Sequence, residues 1–181
     1  MILIPRTPEL EARALELATE VLRTATLKHT SYTGLPGTLE TSTICYRGEW
    51  AVRQAILTAG RRAIYRFGTD GRSKPDEFLL YRNGVALTTD VKTASSASAT
   101  SLLLPETQFL SHITTLYYFA VRQTLSHMEL IGVVGRSELA TGTTFEGRNH
   151  VLTRAYPYTH LIPAEDWLQA LDAGAVHDQR I

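Results

Sequence analysis

A single α/β domain is the fold class predicted by the sequence, on three observations. Phe78 to Arg82 and Val85 to Asp90 are short apolar, aromatic and β-branched runs separated by Asn83-Gly84, the strongest short hairpin signal. Upstream, Arg47 to Leu57 carries the apolar spacing of an amphipathic helix, closed by Gly60. Downstream, Leu116 to Gln123 and Met128 to Val134 read as two more strands, followed by a helix start at Ser137-Glu138-Leu139. Helices before and after a set of strands predict a mixed central β-sheet flanked by helices.

The remaining elements follow in chain order. Thr7-Pro8-Glu9-Leu10 opens a helix with a capping threonine and a proline at the first helical position, and the pattern runs through about residues 7–28. This is expected to be a packing or dimer helix. Thr30 to Thr43, with Gly34, Pro36 and Gly37, predicts a loop. Ala63 to Phe67 predicts the first core strand, leading into a loop from Gly68 to Pro75 in which Asp70 occupies a Thr69-Asp70-Gly71 turn. Thr93 to Ser101, reading TASSASATS, predicts a small, polar, mobile loop. A connecting helix is expected near Glu106 to His112, another loop from Ala140 to His150, and a last helix over 163–173 with Trp167 and Leu168 on its buried face. No internal repeat and no second domain is evident, so residues 1–181 are read as one domain.

Composition agrees with a compact enzyme. The 181 residues include no run of eighteen apolar positions, and Met1 to Pro5 is too short and uncharged for a secretory signal. The expectation is a protein of the cytoplasm with no membrane partner. Its single cysteine, Cys45, excludes an internal disulfide and a Cys-based zinc site, and is read as a buried small hydrophobe. Six histidines are scattered without zinc-binding spacing, and no GxxxxGK phosphate loop is present. Eighteen basic and eighteen acidic side chains cancel, against the basic excess usual in proteins that grip nucleic acid. Arg47, Arg53, Arg61, Arg62, Arg66, Arg72, Lys74 and Arg82 nevertheless fall in the half of the chain that holds the hairpin.

Chemistry concentrates in Lys74 to Thr93, KPDEFLLYRNGVALTTDVKT. Side chains alternate along a strand, so Asp90 and Lys92 share one face while Val91 points into the opposite layer. The partner acid depends on the turn. A two-residue loop at Asn83-Gly84 pairs Arg82 with Val85 and brings Glu77 opposite Asp90, whereas a three-residue loop shifts the pairing and brings Asp76 there. Either way two carboxylates meet, and they repel unless a cation lies between them. Hard oxygen ligands suit Mg²⁺ or Mn²⁺. Lys92 is then placed to orient a water or to stabilise charge on a phosphate.

At these residues the chain resembles the PD-(D/E)XK nuclease superfamily. Pro75-Asp76 matches the first half of the motif and Asp90-Val91-Lys92 the second. The resemblance covers Arg47 to Leu139 and implies a restriction-endonuclease-like core over about 47–139. It implies that Asp76 or Glu77 and Asp90 bind Mg²⁺, that the main chain of Val91 offers a carbonyl to it, and that Lys92 is catalytic. Glu49, in a Gly-Glu pair on the helix before the sheet, matches a glutamate that supplements the metal site in many members. Leu104-Pro105-Glu106-Thr107-Gln108 resembles a segment in which a glutamine, here Gln108, approaches the site. The implied activity is Mg²⁺-dependent hydrolysis of DNA phosphodiesters by a metal-activated water, by a homodimer if both strands of a duplex are cut. The alternative is a nucleic-acid-binding or assembly subunit that keeps the fold without turnover. A further alternative, a structural interaction protein with incidental hairpin charges, predicts binding of neither metal nor nucleic acid.

Overall fold

The computed structural model describes residues 1–28, 38–67, 76–147 and 150–180, with the backbone alone for 24–28. The chain opens with strand β1 (Ile2–Pro5) and helix α1 (Pro8–Lys28). Thr7 caps α1 as its sequence requires, its hydroxyl accepting from the Leu10 amide at 3.2 Å. Leu10, Ala14, Leu17 and Ala18 form the buried stripe of α1.

Helix α2 (Leu39–Thr58) starts well before the expected Arg47. Residues 39–43 are therefore helical rather than loop, while 29–37 lie outside the described residues. The sequence hides this start because its threonines are weak helix formers. Thr38 acts as the cap, accepting from the Thr41 amide at 3.1 Å, and the Thr43 hydroxyl turns back onto the Leu39 carbonyl at 2.6 Å. Cys45 on this helix is exposed, not buried: it falls off the stripe that contains Val52, Ala55 and Ile56. At Gly48 a Cβ atom would lie 1.8 Å from the Thr93 hydroxyl, so glycine is what lets the helix sit directly on the sheet. The chain leaves α2 through Gly60 at φ 62°, in the left-handed region that glycine tolerates.

Three strands then form an antiparallel meander, β2 (Ala63–Phe67), β3 (Phe78–Arg82) and β4 (Val85–Ala94). Strand β4 extends through Thr93 and Ala94, shortening the expected loop, because these residues still pair with the parallel neighbour described next. After β5 (Ser101–Pro105) and α3 (Glu106–Ser111), β6 (Tyr117–Gln123) returns parallel to β4 and turns into antiparallel β7 (His127–Gly135). The short α4 (Arg136–Leu139) follows at the expected place.

The expected loop from Ala140 to His150 contains a strand, β8 (Thr143–Glu146). All four of its residues are exposed, so no apolar alternation announces it. It pairs with β9 (Leu152–Pro157), which pairs with β5, giving a three-stranded antiparallel sheet. A 3-10 turn (Tyr158–His160), β10 (Ile162–Pro163), α5 (Ala164–Gln169) and β11 (Val176–Arg180) complete the chain. Helix α5 buries Trp167 and Leu168 as expected but ends before 173.

The principal sheet is mixed, with strand order β1-β7-β6-β4-β3-β2-β11 and β10 alongside β7. One core, containing Val52, Ile56, Phe78, Leu80, Phe119 and Trp167, joins this sheet to α2 and α5. A second, containing Leu102, Leu104, Phe109, Tyr118 and Val134, joins its other face to the small sheet and α3. Among the described residues no helix is long and apolar enough to cross a membrane.

Candidate active site on the β3–β4 hairpin

The hairpin settles its own register. Asn83 and Gly84 both have positive φ, 53° and 75°, as a two-residue type I′ turn demands, and Arg82 pairs with Val85. Counting outward pairs Phe78 with Thr89, and the Glu77 amide donates to the Thr89 carbonyl at 2.9 Å. Glu77, rather than Asp76, is therefore the acid opposite Asp90. Its carboxylate also accepts from the Val91 amide at 3.0 Å, tying it to the strand that carries Asp90 and Lys92. Asp76 is drawn elsewhere: it is buried and ion-paired with Arg66, whose guanidinium donates to it at 2.7 Å. The Val91 side chain lies in the core facing α2, as alternation requires.

Asp90 is completely buried, with the Lys92 ammonium 2.6 Å from Oδ2 and His112 Nδ1 3.7 Å from the same oxygen. Burial by itself raises the Asp90 carboxyl, but the Lys92 charge and the neighbouring His112 and Glu77 groups outweigh it and hold the group below the usual carboxylate range. The same pair acts on Lys92 in reverse. Burial opposes its charge, yet Asp90 and then Glu77 raise the ammonium above its ordinary value. Glu77 carries the unresolved repulsion. Burial, Asp90 and Glu49 push its carboxyl well above the normal range. The centre thus holds a charged Asp90–Lys92 pair and, beside it, a carboxyl inclined to keep its proton.

Glu49 belongs to the same electrostatic neighbourhood, since its charge acts on Glu77. It is buried on α2 and accepts from the Tyr65 hydroxyl at 3.0 Å. Burial and then Glu49 raise that phenol, keeping it a donor. Gln108 on α3 lines a cavity of about 420 Å³ together with Lys92 and Cys45. Glu77, Asp90 and Glu49 are thus electrostatic neighbours and Gln108 shares a cavity with Lys92, while Asp76 is turned to Arg66 and Asp70 lies outside the described residues.

Two side chains here were not singled out by sequence reading. His112 ends α3 against Asp90, and Arg136 holds that segment in place by donating to the His112 carbonyl at 3.0 Å, the Tyr118 hydroxyl at 3.1 Å and the Phe109 carbonyl. The available signal was only that a histidine terminates the predicted helix. The arginines near the hairpin are largely engaged within the protein. Arg47 pairs with Glu11 and Gln123, Arg53 with Asp178, and Arg66 with Asp76, while Arg61 donates to the Leu171 carbonyl and Arg62 lies over the Tyr81 ring. Arg72 and Lys74 lie outside the described residues.

Among the described residues no group of three or more His, Cys, Asp or Glu side chains is arranged to enclose a cation. The oxygen donors that could hold a divalent ion are the opposed Glu77 and Asp90 carboxyls, and water would have to complete its shell. Asp90 already contacts the Lys92 ammonium at 2.6 Å and Glu77 is held above the carboxylate range, so an ion bound there would displace both the ammonium and a proton. No protein-family model, curated protein or solved structure matches this chain.

Proposed function

We propose that this protein is a magnesium-dependent deoxyribonuclease with a restriction-endonuclease-like core, working in the cytoplasm. The observation that carries the reading is the opposition of Glu77 to Asp90 across a type I′ hairpin, with Lys92 on the same face of the same strand as Asp90. The order of helix α2, the β2–β3–β4 meander, connecting helix α3 and parallel β6 supports it. Magnesium bound there would supply the Lewis acidity to activate a water and positive charge to offset that of the scissile phosphate. Glu77 and Asp90 are the residues that would hold the ion, Glu77 giving up its proton to do so. Lys92 exchanges its contact with Asp90 for the attacking water or a phosphate oxygen and stabilises the charge that develops there. Glu49 keeps the Glu77 carboxyl's proton affinity high, and Gln108 reaches substrate from the cavity wall. Asp76 positions Arg66 and the entry to β3. One site cuts one strand, so cleavage of both strands of a duplex calls for a homodimer.

One observation favours the second reading, a subunit that binds nucleic acid or assembles with other proteins without turnover: Lys92 is already committed to Asp90. Cleavage of plasmid, linear duplex, single-stranded and branched DNA with Mg²⁺ or Mn²⁺ separates the two. The nuclease reading expects metal-dependent cutting that falls at least a hundredfold in Asp90→Ala and Lys92→Ala, and about as far in Glu77→Gln. Folded protein that binds Mn²⁺ and DNA without cutting would establish the second reading, and absence of metal binding would remove the site.

A further inference from the structure

The cavity beside Lys92 narrows the choice of substrate. It encloses about 420 Å³ between the end of β4, the turn that follows, β5, α3 and Tyr158. That is room for one small molecule of nucleotide size. Among the described residues that line it, Lys92 is the only charged side chain; the rest of the polar wall is neutral, including Ser95, Ser96, Ser101 and Gln108, with Leu102 and Tyr158 as apolar surface. A duplex presents stacked bases whose edges alone are accessible, and it is gripped through many phosphates by several cations. Among the described residues this cavity offers one cation, itself in contact with Asp90, and a pocket that a base enters only when unstacked.

We infer that the cavity is a subsite for a single unpaired nucleotide, its phosphate toward Lys92, so that the enzyme acts on strand ends or single-stranded DNA rather than within intact duplex. This rests on the nuclease reading for the cutting step, but the binding step can be measured without it. Cys45 lines the same cavity and is the sole cysteine of the chain, which makes its labelling a local probe.

The experiment follows the rate of Cys45 modification by a thiol-specific reagent in the full-length protein. The additions are thymidine monophosphate, oligo(dT), a relaxed, covalently closed circular duplex or inorganic phosphate, each with and without Mn²⁺. The expected result is at least fivefold slower labelling with thymidine monophosphate and with oligo(dT), and little change with the closed duplex or phosphate. Leu103→Trp, which crowds the cavity wall away from the carboxylates, should abolish the protection without altering Mn²⁺ binding. Protection without cleavage would keep the subsite and remove the nuclease reading. Absence of protection by either nucleotide, or equal protection by the duplex or by phosphate, overturns the subsite even where DNA is cut.

Discussion

Replacing Lys92 by methionine removes the charge beside Asp90 while keeping most of the apolar stem that crosses the site. Asp90 has no solvent exposure and the Lys92 side chain has 18%. Stripping one partner from such a buried pair costs about 3–5 kcal/mol. The lower end applies here, because Glu77 can share its proton and water can reach the vacated space, so we expect about 3 kcal/mol at pH 8. For a chain of this size that is a fall in Tm of roughly 6–12 °C.

The sign with pH follows from Asp90. In the wild type its lowered carboxyl contributes stability that is complete above the ordinary range near about 4 and is lost only as pH falls through its lowered value. In the variant burial is opposed only by the neighbouring His112 and Glu77 groups and the carboxyl rises, so that it takes up a proton at higher pH than in the wild type. The deficit should accordingly shrink between pH 8 and pH 5. Mn²⁺ should also restore much of it at pH 8 by standing in for the ammonium. Urea denaturation at both pH values, with Asp90→Asn and the double variant completing a cycle, measures this. The double variant should be more stable than the sum of the single losses predicts. Equal deficits at the two pH values together with strict additivity would refute the buried-pair argument.

Glu77→Gln should make the metal-free protein more stable, increasingly so as pH rises above about 4.3, because the folded wild-type carboxyl holds a proton that the unfolded chain releases. Thermal unfolding across pH 5–8 tests this, and the wild type should release a proton on taking up Mn²⁺, seen by calorimetry in buffers of different ionisation enthalpy. Gly48→Ala should cost about 1–3 kcal/mol by driving a methyl group into Thr93. Thr93→Ala in the same chain should recover part of that loss in chemical denaturation, since the closest contact is the hydroxyl. Gly84→Val should cost about 1–2 kcal/mol, because Gly84 sits at φ 75°, and a loss of Mn²⁺ binding alongside it would show that the turn sets the acids in place.

The hairpin was legible because its signals are local. Asn83-Gly84, the β-branched flanks and the period of two fix face and pairing within a few residues, and only the choice between Asp76 and Glu77 awaited the turn itself. The amphipathic faces of α1 and α5 were equally plain. What escaped depends on distant partners. Strand β8 is wholly exposed, and β11 is a polar edge strand whose only cue is the parallel neighbour it finds in β2. The start of α2 was masked by threonines that serve as cap and as carbonyl-bonded side chains. His112 meets Asp90 at the end of α3, a segment that Arg136 holds through a contact between residues 24 positions apart.

Asp172 gives the hairpin a dependence on chain order. Its two carboxylate oxygens accept from the Asn83 and Gly84 amides at 2.8 Å each, and its own amide donates to the Tyr81 carbonyl at 2.8 Å. The turn is thus fastened by a residue 89 positions later. During synthesis the two strands can meet as soon as they emerge, but the clasp on their turn arrives only after β4 through α5 have been made. The turn between the opposed acids therefore gains its clasp late, and a nascent chain carries the sequence of the hairpin long before it carries a fastened turn.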